Sequence, residues 1–129
     1  MPWTRDNTFA GFSETKPWLP LGQGHAELAA GAQDADPDSV LNFTRAMLKV
    51  RNRSKALRLG SVDFPDVPGP LLAIRRNEGA EEVLCLFNLG TAAADVPNGL
   101  GAGFVPLIAS SPAAGPAHLP GLGVWIGRR

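Results

Sequence analysis

Apolar and polar residues recur along this chain with two different periods, and one long stretch shows neither. Within DPDSVLNFTRAMLKVRNRSKALRLG, a projection at about 100° per residue gathers Val40, Phe43, Met47 and Val50, flanked by Leu41 and Leu48, on one face. Asn42, Arg45, Lys49, Asn52 and Arg53 share the opposite face. Asp36 is the N-cap candidate, and Pro37 suits the first helical position, where a missing N–H costs nothing. Asp38 then lies in the first turn, where the helix dipole favours an anion. The pattern predicts an amphipathic helix that starts at Pro37 and terminates at Gly60. Arg51 projects near the centre of the apolar face, and burying an unpaired guanidinium is costly. It must therefore find a carboxylate or several carbonyls, or carry its head to water along its stem, and a paired structural role is favoured over a ligand-binding one.

After Gly60 the period changes to two. LLAIRR (Leu71 to Arg76), EVLCLFN (Glu82 to Asn88), AAADV (Ala92 to Val96), FVPLIA (Phe104 to Ala109) and GVWIG (Gly123 to Gly127) are short runs separated by turn residues such as Asn77, Gly79, Gly90, Asn98 and Gly99. These runs predict an antiparallel β-sandwich. VLCLF is apolar on both faces, with Val83, Cys85 and Phe87 on one and Leu84 and Leu86 on the other, which marks a central strand covered on both sides. The fold class expected is mainly β: a sandwich over residues 61–129, preceded over residues 1–60 by a long loop and one amphipathic helix.

Residues 1 to about 35 have no period and are punctuated by Gly, Pro, Asn and Asp, with Leu28, Ala29 and Ala30 the only hint of a helical turn. This segment nevertheless carries Trp3, Phe9, Phe12 and Trp18. Large aromatics in a loop expose apolar surface unless something covers them, so the segment reads as the interior of a longer protein.

Composition narrows the choices. Twelve basic and twelve acidic residues give zero formal charge, with no one-signed stripe to attract nucleic acid or an anionic membrane. The 44% apolar content suits a loop-rich folded chain of about one domain in size. A single cysteine, Cys85, sits in the most apolar run, which points to a buried thiol, a reducing compartment and a cytoplasmic location. No apolar run is long enough to cross a bilayer as a helix.

Candidate chemistry is sparse. Asp34, Asp36 and Asp38 alternate like the start of a calcium loop, but Ser39 stands where that loop needs glycine and Arg45 where it needs glutamate. His25 and His118 have no second ligand at metal spacing, so no metal and no cofactor are expected. No serine lies in a nucleophile elbow and no glycine loop has phosphate-binding spacing. The acceptor-like triplets NFT and NRS fall within the predicted helix.

MPW, AGFS, PWLP, a glutamine, DPDSVLNFTRAMLKVR and AL..G occur in the order in which they resemble the C-terminal part of bacterial α-glucosidases of the α-amylase superfamily, the oligo-1,6-glucosidase group. The likeness runs from Met1 to about Gly60 and continues more loosely through LLAIRR and VLCLFNLG. It implies that residues 1–60 are the loop after the eighth strand and the last outer helix of a (β/α)₈ barrel, and residues 61–129 the closing all-β domain. Met1 then resembles an internal methionine. Both catalytic carboxylates of that family come from strands upstream, so no catalytic residue is expected here, and Asp34, Asp36, Asp38, Glu81 and Glu82 read as caps and edges. The resemblance also puts Trp3, Arg5, Asp6 and Phe9 near the substrate face of the barrel, although Thr4 and Arg5 precede Asp6 where the family has an aspartate directly after the tryptophan, and packing of Trp3 and Trp18 on the barrel rim is the favoured reading.

The implied partners are the rest of the barrel and an α-gluco-oligosaccharide. Rival readings are a carbohydrate-binding sandwich, with Trp125 and Phe104 as its aromatic candidates, and a structural module that dimerises through the helix face. That face is expected to find cover on the sandwich, on the N-terminal loop or on a second copy.

Overall fold

The computed structural model describes residues 1–129, which form two compact units, Met1–Ala46 and Met47–Arg129. The order of elements is α1 (Ala30–Ala35), α2 (Val40–Arg53), α3 (Lys55–Leu59), β1 (Ser61–Asp63), β2 (Leu71–Glu78), β3 (Glu81–Asn88), β4 (Ala94–Asp95), β5 (Val105–Ala109), β6 (His118–Leu119) and β7 (Val124–Arg128).

The second unit is built on an antiparallel five-stranded sheet in the order β1-β2-β3-β7-β5, with β4 and β6 paired in a separate two-stranded sheet. The fold is mainly β, as the period-two runs predict. β3 is the middle strand, and Val83, Leu84, Cys85 and Leu86 are all buried. Alternation along the strands divides the core between two faces. Ala73, Leu84, Leu86 and Trp125 pack with Val96, Phe104, Ala114 and Leu119 on the face covered by the small sheet and its loops. On the opposite face Val83, Cys85 and Ile126 pack with Ala56 of α3, joined by Met47, Ile74 and Ile108. Ile74, Cys85, Ile126 and Ile108 lie opposite one another in register, so four strands contribute to one apolar row.

Asn88 closes one end of this core. It is buried, and its Nδ2 lies within hydrogen-bond reach of the carbonyls of Ala92 (2.8 Å), Pro120 (3.0 Å) and Leu119 (3.3 Å), while its Oδ1 accepts from Gly90 N–H at 3.0 Å. One side chain thus binds carbonyls of the loop after β3 and of the end of β6. The outer strands differ. β1 has three residues, and β5 carries Pro106, which has no N–H, together with a register shift between Pro106 and Ile108.

Several boundaries depart from the periodic pattern. The helix does not start at Pro37. Asp36 Oδ1 accepts from Asp38 N–H at 3.0 Å, a local turn that takes up Pro37 and Asp38, and Ser39 becomes the cap, its Oγ accepting from Asn42 N–H at 3.2 Å. The helix also breaks before Gly60: Ser54 Oγ accepts from Leu57 N–H at 3.1 Å and starts α3 as a separate helix. Gly60 does end the last helix, in an extended rather than left-handed conformation. A Cβ there would lie 2.6 Å from the carbonyl oxygens of both Ala56 and Asn77, so close approach requires the glycine.

Arg51 is exposed and forms no ion pair: its head takes the route to water, and the favoured pairing does not form. No residue of α2 is fully buried, so its guanidinium reaches water without a partner. The apolar stripe is only partly covered: Met47 packs on the sheet core, whereas Val40 is 76% exposed. AAADV shortens to the two residues of β4, and β1 and β6, which the pattern does not signal, are strands.

Candidate functional site

Trp3, Arg5, Asp6 and Phe9 belong to one loop of the first unit. Asn7 organises it: Asn7 Oδ1 accepts from Phe9 N–H at 3.0 Å and Asn7 O from Ala10 N–H at 2.8 Å. The loop closes where Ala10 O accepts from the N–H groups of Trp3 (2.7 Å) and Thr4 (3.1 Å). Ala10 (φ 54°) and Gly11 (φ 67°) both adopt the left-handed region, the reversal that this closure requires.

Backbone contacts tie the loop to α1. Pro2 O accepts from Ala30 N–H at 3.0 Å and Trp3 O from Gly31 N–H at 2.9 Å, which satisfies donors that a helix start leaves without partners. Gln33 then connects α1 to the start of α2. Its Oε1 accepts from Leu41 N–H at 3.1 Å, and its backbone carbonyl accepts from Ser39 Oγ at 2.6 Å and Asn42 Nδ2 at 3.0 Å. Arg45 pairs with Asp34 across the same junction.

Within this frame the polar candidates stay open. Arg5 and Asp6 are exposed, Phe9 is half-buried and Trp3 is 51% exposed. A predominantly apolar cleft of about 370 Å³ lies nearby in the same unit, its wall including Pro2, Phe12, Trp18 and His25. Trp18 is 92% exposed. Such a surface can stack on a sugar face or pack beneath another polypeptide segment, but none of Trp3, Arg5, Asp6 and Phe9 lines it.

The acidic residues are engaged elsewhere. Glu81 and Glu82 are neighbours on β3 and alternate to opposite faces, so they cannot act as a pair on one substrate. Glu82 forms ion pairs with Arg75 (3.0 Å) and Arg129 (2.6 Å). Glu81 Oε2 accepts from Ala56 N–H at 3.0 Å. That bond, reinforced by Ser54, the Lys55 backbone and the charge of Arg128, outweighs partial desolvation and holds the carboxyl below its usual range. Asp34 is paired with Arg45, and Asp36 is taken up in the local turn. His118 Nδ1 lies 2.8 Å from Asp95 Oδ1, and His25 Nδ1 accepts from Gly22 N–H at 3.0 Å. No group of three His, Cys, Asp or Glu side chains is placed to hold a metal ion. Burial pushes the Cys85 thiol up to about 11, which keeps it un-ionised and unreactive at neutral pH. The capping role of Glu81 was missed in the sequence because its target helix lies 25 residues away.

Residues 1–60 match the alpha-amylase family, described as alpha amylase, catalytic domain. A probable alpha-glucosidase of Rhizobium meliloti (strain 1021) is 43% identical over 84 residues, 65% of this chain and 15% of that protein. The crystal structure of the trehalulose synthase MutB from Pseudomonas mesoacidophila MX-45 superposes with a TM-score of 0.84 at 29% identity, covering 98% of this chain and 24% of that one. The alpha-glucosyl transfer enzyme XgtA gives a TM-score of 0.81 at 34% identity, over 99% of this chain and 24% of its own. The chain belongs to the alpha-amylase family of glycoside hydrolases. It spans about a quarter or less of the length of these relatives.

Proposed function

We propose that these 129 residues are the C-terminal portion of an α-glucosidase that hydrolyses or transfers α-linked glucose in short oligosaccharides by a retaining mechanism. Its catalytic carboxylates would lie on barrel strands outside these residues. The observation that carries this reading is the near-complete superposition of the chain on a quarter of a glucosyl-transferring enzyme of the same family. A retaining site needs two carboxylates about 5 Å apart on one substrate. The engagement of Glu81, Glu82, Asp34 and Asp36 in caps, turns and ion pairs supports assigning that pair to the missing strands.

In this reading the role of the present residues is structural. The loop of residues 1–35 and the apolar stripe of α2 complete a (β/α)₈ barrel, and the sheet unit buttresses it. The exposed Trp3, Phe12 and Trp18 would be covered by that barrel, and Trp3, Arg5, Asp6 and Phe9 would lie toward the substrate. A cytoplasmic location suits the single reduced cysteine. Trp125 and Phe104, the sandwich's sugar-stacking candidates, are buried, which counts against the carbohydrate-binding reading, while the open part of the helix stripe at Val40 suits cover by the barrel and by a second copy alike.

The test is release of nitrophenol from a nitrophenyl α-glucoside by the purified chain, beside the same chain extended upstream through a complete barrel. Activity in the extended form alone is the expected outcome. Activity in the 129 residues by themselves would overturn the proposal.

A further inference from the structure

At one end of the sheet a shallow depression of about 590 Å³ is walled by Arg53, Lys55, Glu81, Val105, Arg128 and Arg129. Its residues come from five separate elements and the residue after β7. Arg53 ends α2 and Lys55 begins α3, on either side of the buried Ser54 whose hydroxyl caps α3. Arg128 ends β7, held by pairing with Val83 on one side and Val105 on the other. The backbone of Arg129 is fixed by reciprocal bonds with Glu82 at 3.0 and 3.1 Å, and its guanidinium lies 4.7 Å from the centroid of the Phe104 ring. The cations are thus set on ordered backbone.

Charge in the depression is unbalanced. Arg129 is paired with Glu82, but Arg53, Lys55 and Arg128 have no carboxylate within ion-pair distance. The sole acid in the wall, Glu81, is turned to the N–H of Ala56. Two guanidiniums and an ammonium therefore face one open volume against a single carboxylate, Glu81, whose Oε2 is engaged by the Ala56 N–H. Guanidiniums bind phosphate oxygens in a bidentate fork, and a lysine adds a point charge, so the matching ligand group is a compact multivalent oxyanion. The depression is open and wider than a bare oxyanion, so a bound oxyanion can carry a larger group.

From these observations we infer that the depression walled by Arg53, Lys55 and Arg128 binds the phosphoryl group of a phosphorylated small molecule. The site is independent of the proposed glycosidase reading, because all its residues lie in the sheet unit.

The probes are inorganic pyrophosphate and glucose 6-phosphate, with glucose as the uncharged control, titrated calorimetrically at about 0.15 M salt to screen diffuse attraction. The 129-residue chain and its upstream-extended form are both used. Saturable one-to-one binding of both phosphates, and none of glucose, is expected in each form. The double variant Arg53→Ala with Arg128→Gln should weaken it by about tenfold or more, whereas Lys49→Ala, a cation outside the depression, should leave it unchanged. Circular dichroism identifies a variant that has failed to fold; Lys55→Gln then replaces the double variant, with loss of affinity again expected. Non-saturating heat, equal binding by the variants, or amide shifts spread over every surface cation instead of Arg53, Lys55, Glu81 and Arg128 would overturn the inference.

Discussion

The two tryptophans at opposite extremes of exposure divide the molecule. Trp125, in β7, is 2% exposed and packs among Leu84, Leu86 and Leu119, whereas Trp18, in the N-terminal segment, is 92% exposed. The sheet unit buries large side chains on both faces of β3. In the first unit the buried positions are small: Ala10, Ala29 and Ser39. That unit is ordered chiefly by polar links, among them Pro2 and Trp3 to α1 and Gln33 and Ser39 to α2. One region carries its own hydrophobic driving force. The other has directional bonds that specify a shape, with most of its large apolar side chains left for another surface to cover.

The contrast can be broken most directly by paired substitutions. Leu84→Ala should cost about 2–5 kcal/mol in urea unfolding, because the lost methyls leave a cavity between fixed strands, while Trp18→Ser should change stability by less than about 0.5 kcal/mol. Equal costs would show that both regions have a comparable core.

Cys85 provides the next largest effect. Its thiol is raised from 9.0 to about 11 by burial, so the folded state holds its proton more tightly than the unfolded chain. The associated stability is complete below pH 9, is lost as pH rises from 9 to 11, and amounts to on the order of 2–3 kcal/mol. Urea midpoints across that range should fall more steeply for the parent than for Cys85→Ala. A parallel decline would mean the thiol is hydrated.

Asn88→Ala should cost about 1–3 kcal/mol by stranding buried carbonyls, and the loss should appear as faster amide exchange at Gly90 and in β7. In the other region, removal of the cap by Ser39→Ala should cost about 1 kcal/mol, with exchange accelerated at Asn42 and unchanged in β3. If β3 responds equally, the two units unfold as one. The smallest effect belongs to Glu81. Its folded carboxyl lies below 4.5, so its contribution is present above that pH and is lost as pH falls through the folded value. Glu81→Gln should therefore flatten the acid limb of the midpoint–pH curve, mainly below pH 4.5.

The sheet was legible where burial dictated composition. VLCLF has no polar face, and it is the middle strand. β1 and β6 were not legible, since two or three residues show no period, and their pairing depends on partners 12 or more positions away. The helix face was readable but its ends were not. Asp36 and Ser39 both suit a cap, and the choice turned on Asp36 bonding locally to Asp38. The break at Ser54 reused the same chemistry inside a pattern that stayed apolar through Leu57. For the candidate site, the sequence pointed to the N-terminal aromatics and the structure leaves Trp3 and Trp18 open. The basic depression had no sequence signal, because Arg128 meets Arg53 and Lys55 only through the packing of α3 on β3 and the pairing of β3 with β7.

The two borders of the large sheet bear on how this chain behaves in a concentrated solution. Stacking into fibrils requires a long border with a regular row of free donors and acceptors, and here one border is three residues long while the other lacks a donor at Pro106 and slips register beside it. The adhesive surface is instead the cluster of aromatic rings near the first residue. Chains that associate should therefore do so through rings, giving amorphous, detergent-reversible particles that do not stain as amyloid.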